Sequence, residues 1–154
     1  MPEPPWPLTA ETLAPRVRMM EDAWNSCAPD RVVRAHSLDS VWHCRTDVLR
    51  GRASLLRYLA RKWTREIEYR LVLAPWTFGP DRITVRLAYE WRDDSGNWFR
   101  SYGNDNWKLD AAGLVTHRYC TVNDQPIAEA DRRLRWEWTC MRPADHAGLQ
   151  ELGF

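Results

Sequence analysis

Leu87-Ala88-Tyr89-Glu90-Trp91-Arg92-Asp93-Asp94-Ser95-Gly96-Asn97-Trp98-Phe99-Arg100-Ser101-Tyr102-Gly103-Asn104-Asp105-Asn106-Trp107 is the stretch on which the fold turns. Two aromatic-rich runs flank the turn signal Asp93 to Asn97, which predicts a long antiparallel hairpin. On the first arm Val85, Leu87, Tyr89 and Trp91 alternate with Arg86, Ala88 and Glu90, so one face is apolar and the other holds an acid and a base. Two assignments follow. If the charged face points inward, the apolar face is free to join a second subunit. If the apolar face points inward, Arg86 and Glu90 are solvated. The first is preferred, because a dimerising sheet needs an apolar outer face.

Upstream of the hairpin, Ile67, Tyr69, Leu71 and Leu73 alternate with Glu68 and Arg70, and Gly79-Pro80-Asp81 turns this strand into the one from Ile83 to Arg92. Downstream, Trp98 to Leu109 leads through Asp110-Ala111-Ala112-Gly113 into a last strand from Leu114 to Asn123. Before the strands the period is helical. Leu13, Val17, Met20, Trp24 and Cys27 form one stripe, with Arg16, Arg18, Glu21 and Asp22 off it. Thr9 or Thr12 caps this helix, and Pro15 fits only if it starts at the later one. A short helix opens at Pro29, Ser40 to Cys44 is a strand, and an irregular piece reaches Gly51. A third helix runs from about Ala53 to Glu66 with Leu55, Leu56, Leu59 and Trp63 inward and Tyr58 at the edge. The order predicts an α+β fold, helices against one face of a curved, mostly antiparallel sheet. Ala128 to Leu134 reads as a short helical piece, and the apolar tail 135–154 is expected to pack over its own sheet or a neighbouring subunit.

The 154 residues make one domain, 1–154, with a proline-rich N-terminal arm over 1–8. Twenty-two basic residues against 21 acidic ones leave a net charge of +1, no field to attract nucleic acid or an anionic membrane. No membrane span or signal peptide is read, so a cytoplasmic protein is expected. Cys27, Cys44, Cys120 and Cys140 form no C-x-x-C pair and are expected as reduced thiols. His36, His43 and His117 fall on separate elements without metal-ligand spacing, so no metal is expected. The absence of a phosphate loop or nucleophile elbow predicts no cofactor and no serine nucleophile. Arg57, Arg61, Lys62 and Arg65 read as a solvated helix face.

The element order, with Glu21-Asp22-Ala23-Trp24-Asn25, Ser40-Val41-Trp42, Gly51-Arg52 and Trp107 to Val115, resembles the nuclear transport factor 2-like superfamily, which includes SnoaL-like cyclases, ketosteroid isomerases and limonene epoxide hydrolases. The closer likeness, through Ala88 to Trp91, Asp93 to Asn104, Asn123-Asp124 and Pro126 to Arg132, is to an uncharacterised bacterial and fungal family within it. The resemblance implies a cone-shaped α+β barrel enclosing a pocket, often dimeric through the outer sheet face. Aligned with the hydrolases by the Gly113 turn, the inward positions become Trp42, Cys44, Arg86, Ala88, Glu90, Ser101, Gly103, Asp105, Trp107, Arg118, Cys120 and Val122. Arg86 then matches the hydrolase Arg, but Ala88 and Cys120 stand where its two acids would be, and Trp42 and Cys44 where its Tyr and Asn would be. Without a carboxylate to activate water, that mechanism cannot run.

What remains inside that register is Arg86, Glu90, Asp105 and Arg118. Read functionally, Glu90 or Asp105, desolvated beside tryptophan, is the general base or acid, and Arg86 or Arg118 orients an oxygen anion. Read structurally, the four form an ion network within the barrel. The pocket wall is assigned to Trp24, Trp42, Cys44, Tyr58, Trp63, Ser101, Trp107 and Cys120, which suits a small hydrophobic or aromatic ligand. Cys44 and Cys120 are expected to meet on the pocket floor. The function expected is a cofactor-independent isomerase, cyclase or dehydratase; the competing reading is a non-catalytic ligand-binding or dimeric interaction module of the same fold.

Overall fold

A computed structural model describes residues 5–154. The arm is thus seen only from Pro5 onward; Met1 to Pro4 lie outside the described residues. Helix α1 (Ala10–Asn25) is capped by Thr9, whose hydroxyl accepts from the Thr12 backbone while the Thr12 side chain accepts from the Thr9 backbone. The helix therefore starts at the earlier threonine and contains Pro15. It tolerates the proline because Pro15 and Glu11 lie on the exposed face, where water serves the carbonyl that Pro15 cannot reach. Helix α2 (Pro29–Val33) starts on its proline, and β1 (His36–Cys44) follows at once, longer than its apolar core suggested. The piece expected to be irregular contains a short strand, β2 (Asp47–Arg50), folded back on β1.

Helix α3 (Arg52–Arg65) precedes four long strands, β3 (Ile67–Gly79), β4 (Arg82–Arg92), β5 (Trp98–Leu109) and β6 (Val115–Ile127). The sheet order is β2-β1-β6-β5-β4-β3; all neighbours are antiparallel except β1 and β6, which are parallel. After β6 only a 3-10 turn (Glu129–Asp131) forms where a short helix was expected, and a helix α4 (Leu149–Leu152) ends the tail.

Helices α1 to α3 cover the concave face, where the main core joins Trp24, Trp42, Leu55, Leu59, Tyr69, Leu71, Val85, Leu87 and Tyr89. A second, smaller core joins Leu134 and Leu149 of the tail to Val72 and Ala88 on the convex face. The tail thus packs over its own sheet.

The face assignment on β4 is corrected here. Trp91 pairs with Phe99, Tyr89 with Ser101, Leu87 with Gly103 and Val85 with Asp105, an unbroken register. Odd-numbered residues of one arm therefore share a face with odd-numbered residues of the other. Ser101 and Asp105 cannot be inside together with Arg86, Ala88 and Glu90. Val85, Leu87 and Tyr89 are at most 5% exposed within the single chain, so they are core and cannot form the expected subunit interface.

Candidate functional site

The concave face and the helices enclose a chamber with about 450 Å³ of atom-free space, its mouth included. Only about 20 Å³ of this is open to the centre of a water molecule, room for a molecule close to that size. Outside it lies a wider vestibule bounded by Arg45, Arg65, Glu66, Trp91 and Asp124, and Tyr58 and Lys62 line both.

Two rows across the sheet build the floor. Cys44 of β1 lies beside Cys120 of β6, which lies opposite Asp105 of β5. In the neighbouring row Trp42 lies beside Arg118, which lies opposite Trp107. Arg118 is wedged between the rings of Trp42 and Trp24, 4.5 and 4.8 Å from its guanidinium carbon, and donates from Nε to Asp105 Oδ2 at 2.7 Å. The pair is almost completely buried, with the Asp105 and Arg118 side chains 5% and 7% exposed. Burial pushes the Asp105 carboxyl above its ordinary value, against the pull of Arg118. Burial works against the Arg118 charge, but Asp105 and the two thiols hold the guanidinium protonated. One atom of each group, Asp105 Oδ1 and Arg118 Nη1, is buried with no hydrogen-bond partner.

The two thiols are free, and they interact. A hydrogen bond from Cys120 outweighs burial at Cys44, and with Arg118 and Lys62 nearby the Cys44 thiol falls below its ordinary value. The same bond and burial push Cys120 far up. The pair as a unit thus gives up one proton easily and holds the other.

Of the other wall residues, Trp24, Tyr58 and Trp107 line the chamber. Trp42 is fully buried behind Trp24, 5.7 Å away and nearly parallel, and Trp63 meets Trp24 edge-on at 5.8 Å. Ser101 accepts from Trp91 Nε1 at 2.9 Å and donates to Asp124 at 2.5 Å, near the vestibule.

Glu90 and Arg86 lie elsewhere. Both point to the convex face, so neither joins Asp105 and Arg118, and the expected four-residue network divides. Glu90 is 1% exposed beneath the tail, bound to Arg100 at 2.7 Å and to the backbone N–H groups of Arg133 and Leu134 at 2.8 and 2.7 Å. Its carboxylate has no free face for a substrate. Arg86 is half-buried opposite Asn104, so its match to the hydrolase Arg does not stand.

Sequence reasoning placed Lys62 in solvent and passed over Tyr69, Tyr89 and Arg45. Lys62 is 6% exposed, 2.7 Å from Glu66 and 4.4 Å from the centre of the Tyr89 ring. Burial alone would lower its amine, but Glu66 and Tyr89 hold it above the ordinary value. The signal was present, since Leu55, Leu59, Lys62 and Glu66 follow the spacing of a single helical stripe. Arg45 carries no such signal. It turns the β1–β2 hairpin at φ 56° and grips Asp124 at 2.7 and 2.8 Å across the chamber mouth.

Residues 4–135 match the model of a family described as protein of unknown function, DUF1348. The chain belongs to that family. No curated protein matches the sequence. Among solved structures, the epoxide hydrolase/cyclase-like enzyme SalBIII, described in pyran ring formation in the polyether salinomycin, superposes with a TM-score of 0.59 at 17% identity, over 71% of this chain and 86% of its own. An NTF2-like protein of unknown function from Exiguobacterium sp. 255-15 gives 0.57 at 15% identity, over 71% and 98%. RV0760c from Mycobacterium tuberculosis, in complex with estradiol-17beta-hemisuccinate, gives 0.57 at 13% identity, over 67% and 88%. The fold of this DUF1348 protein is therefore that of the nuclear transport factor 2-like, SnoaL-like superfamily, as the sequence resemblance implied. None of its described helices is long and apolar enough to cross a membrane, and among the described residues no three His, Cys, Asp or Glu side chains gather as metal ligands would.

Proposed function

We propose that the chamber, once Tyr58 and Lys62 move from its mouth, takes a small hydrophobic or aromatic molecule carrying a carbonyl or anionic oxygen, and that Asp105 and Arg118 perform cofactor-independent acid–base chemistry on it: isomerisation, cyclisation or dehydration. The observation that carries the reading is the pair of orphaned atoms. A carboxylate oxygen and a guanidinium N–H, each already half-satisfied by the other, are buried and unpartnered on the wall of one chamber. Arg118, fixed by two indole faces and by Asp105, offers Nη1 to an oxygen on which charge develops. Asp105 Oδ1, made more basic by burial, removes a proton from the carbon next to that oxygen and returns it elsewhere. Steroid binding by RV0760c and the cyclase-like description of SalBIII support the ligand class.

The narrow free space favours a second reading, in which the same chamber binds its ligand without chemistry once Tyr58 and Lys62 move from the mouth. The uncovered part of the convex sheet, around Tyr102 and Tyr119, joins two copies into a homodimer.

Deuterium wash-in separates the catalytic reading from the binding one. Cyclic ketones that raise the melting temperature should exchange their α-hydrogens in D₂O with wild type, and Asp105→Asn should slow exchange about 100-fold or more while still binding. Binding without exchange in wild type would leave a ligand binder and end the acid–base reading.

A further inference from the structure

Cys44 and Cys120 are not used by the acid–base reading, yet they sit on the floor of the same chamber. The two residues are direct partners on adjacent parallel strands. Neighbouring strands run about 4.7–4.9 Å apart, inside the range of Cα separations that a disulfide spans. Cys44 is the last residue of its strand, paired with Cys120 on one side and Asp47 on the other, and followed by Arg45 in a left-handed turn conformation. The adjoining wall supplies the unpartnered, more than nine-tenths buried Arg118 Nη1 and Asp105 Oδ1. Finally, the free space matches a reagent of water-like size.

We propose that Cys44 and Cys120 form a dithiol site that reduces a small hydroperoxide of the size of hydrogen peroxide, with Cys44 as the attacking sulfur and Cys120 as the resolving one. Cys44 first loses its proton to solvent. Its thiolate then attacks one peroxide oxygen; the O–O bond breaks, an S–O bond forms, and the leaving hydroxide, beside Arg118, takes a proton from solvent and departs as water. Cys120 next attacks the sulfur of the Cys44 sulfenic acid. The S–O bond breaks, the disulfide forms, and the displaced hydroxide leaves as a second water with the Cys120 proton. Two thiols are oxidised by two electrons and one peroxide becomes two waters. A small-molecule dithiol restores the pair by exchange.

The charges facing Cys44 favour the first step. Cys120, Arg118 and Lys62 stabilise its thiolate, while burial and Asp105 oppose it, and the balance leaves the thiol below its ordinary value. The other two cysteines provide internal controls. Cys140 is exposed, and burial pushes the half-buried Cys27 up to about 11.

The test uses the fully reduced wild-type chain, one equivalent of hydrogen peroxide, and alkylation followed by peptide mass spectrometry over time. Cys44 and Cys120 should vanish from the alkylated pool together, as a peptide pair lighter by two hydrogens, at least about tenfold faster than exposed Cys140 reacts. The rate should rise with pH below the ordinary thiol range of about 8–9, because Cys120, Arg118 and Lys62 favour the Cys44 thiolate. Cys120→Ser should stop at a dimedone-trappable sulfenic acid on Cys44. Oxidation of Cys140 first, or full alkylation of Cys44 and Cys120 after peroxide, overturns the proposal without reference to any variant.

Discussion

Glu90 shows how much a single carboxylate contributes when it lies between two layers. It joins Arg100 of the neighbouring strand to the backbone of the tail, and removing it strands a guanidinium and two N–H groups beneath that tail. Glu90→Ala should therefore destabilise the fold by roughly 3–5 kcal/mol, the range for a broken buried pair, with no loss of ligand binding in the chamber on the other side of the sheet. Urea unfolding checks the first half, and a change under about 0.5 kcal/mol would contradict it. His36 makes a different demand. Its Nδ1 lies 2.9 Å from the Val32 carbonyl and its ring 5.1 Å from that of Trp42, and burial pushes it down to about 3. In the unfolded chain it takes a proton near 6.5, in the fold only near 3, so the unfolded state binds more protons in between. Stability attributable to His36 is complete above about 6.5 and falls as pH drops, by up to about 1.4 kcal/mol per unit. Melting curves at pH 7 and 5 should show a smaller loss for His36→Gln than for wild type, and equal losses would remove His36 from the account.

At the scale of elements, the hairpin was legible because its signals are local: aromatic alternation, then Asp93 to Asn97. Its facing was not, because each arm alone is consistent with either side and only the register couples them. The chamber floor shows the same division. Trp42, Cys44, Asp105, Arg118 and Cys120 fall on the expected face because the strands carrying them alternate in one sense. Arg86 and Glu90 do not, because a second apolar layer, the tail, makes a charged convex face tenable. The apolar residues of the tail signal a covering layer, but no period between Arg132 and Phe154 says which sheet face it covers. Gly103 tests the register directly. A methyl group at this position would lie 1.9 Å from the Thr121 carbonyl oxygen, in the neighbouring strand's backbone. Gly103→Ala should force β5 and β6 apart and lower stability by more than about 2 kcal/mol by overpacking. A variant as stable as wild type would show that the two strands approach differently.

On the whole molecule the two sheet faces have unlike fates. The concave face is closed by three helices. The segment after β6 covers the convex face from Arg70 and Val72 across Ala88 and Glu90 to Arg100, and beyond it Tyr102 and Tyr119 remain 43% and 49% exposed, with Val48 at 52% on the far side of His43. His43 stacks on Tyr119 with ring centres 5.0 Å apart, so these two side chains are already ordered. Asn104 and Thr121 form the row between the two tyrosines and Asn123 lies opposite Tyr102, so the exposed surface mixes aromatic rings with uncharged polar groups, and none of these side chains carries a charge that a second copy would have to desolvate. A second copy related by a two-fold axis would set the same patch against itself, and strand edges would stay outside the contact. Light scattering at micromolar concentration should give the mass of two chains, and Tyr119→Glu, which puts a charge at the centre of the patch, should give the mass of one. Circular dichroism should be unchanged, because the Tyr119 side chain lies outside both cores. A monomeric wild type, or a Tyr119→Glu dimer, would mean that the exposed tyrosines face water and that the subunit contact is absent or lies elsewhere.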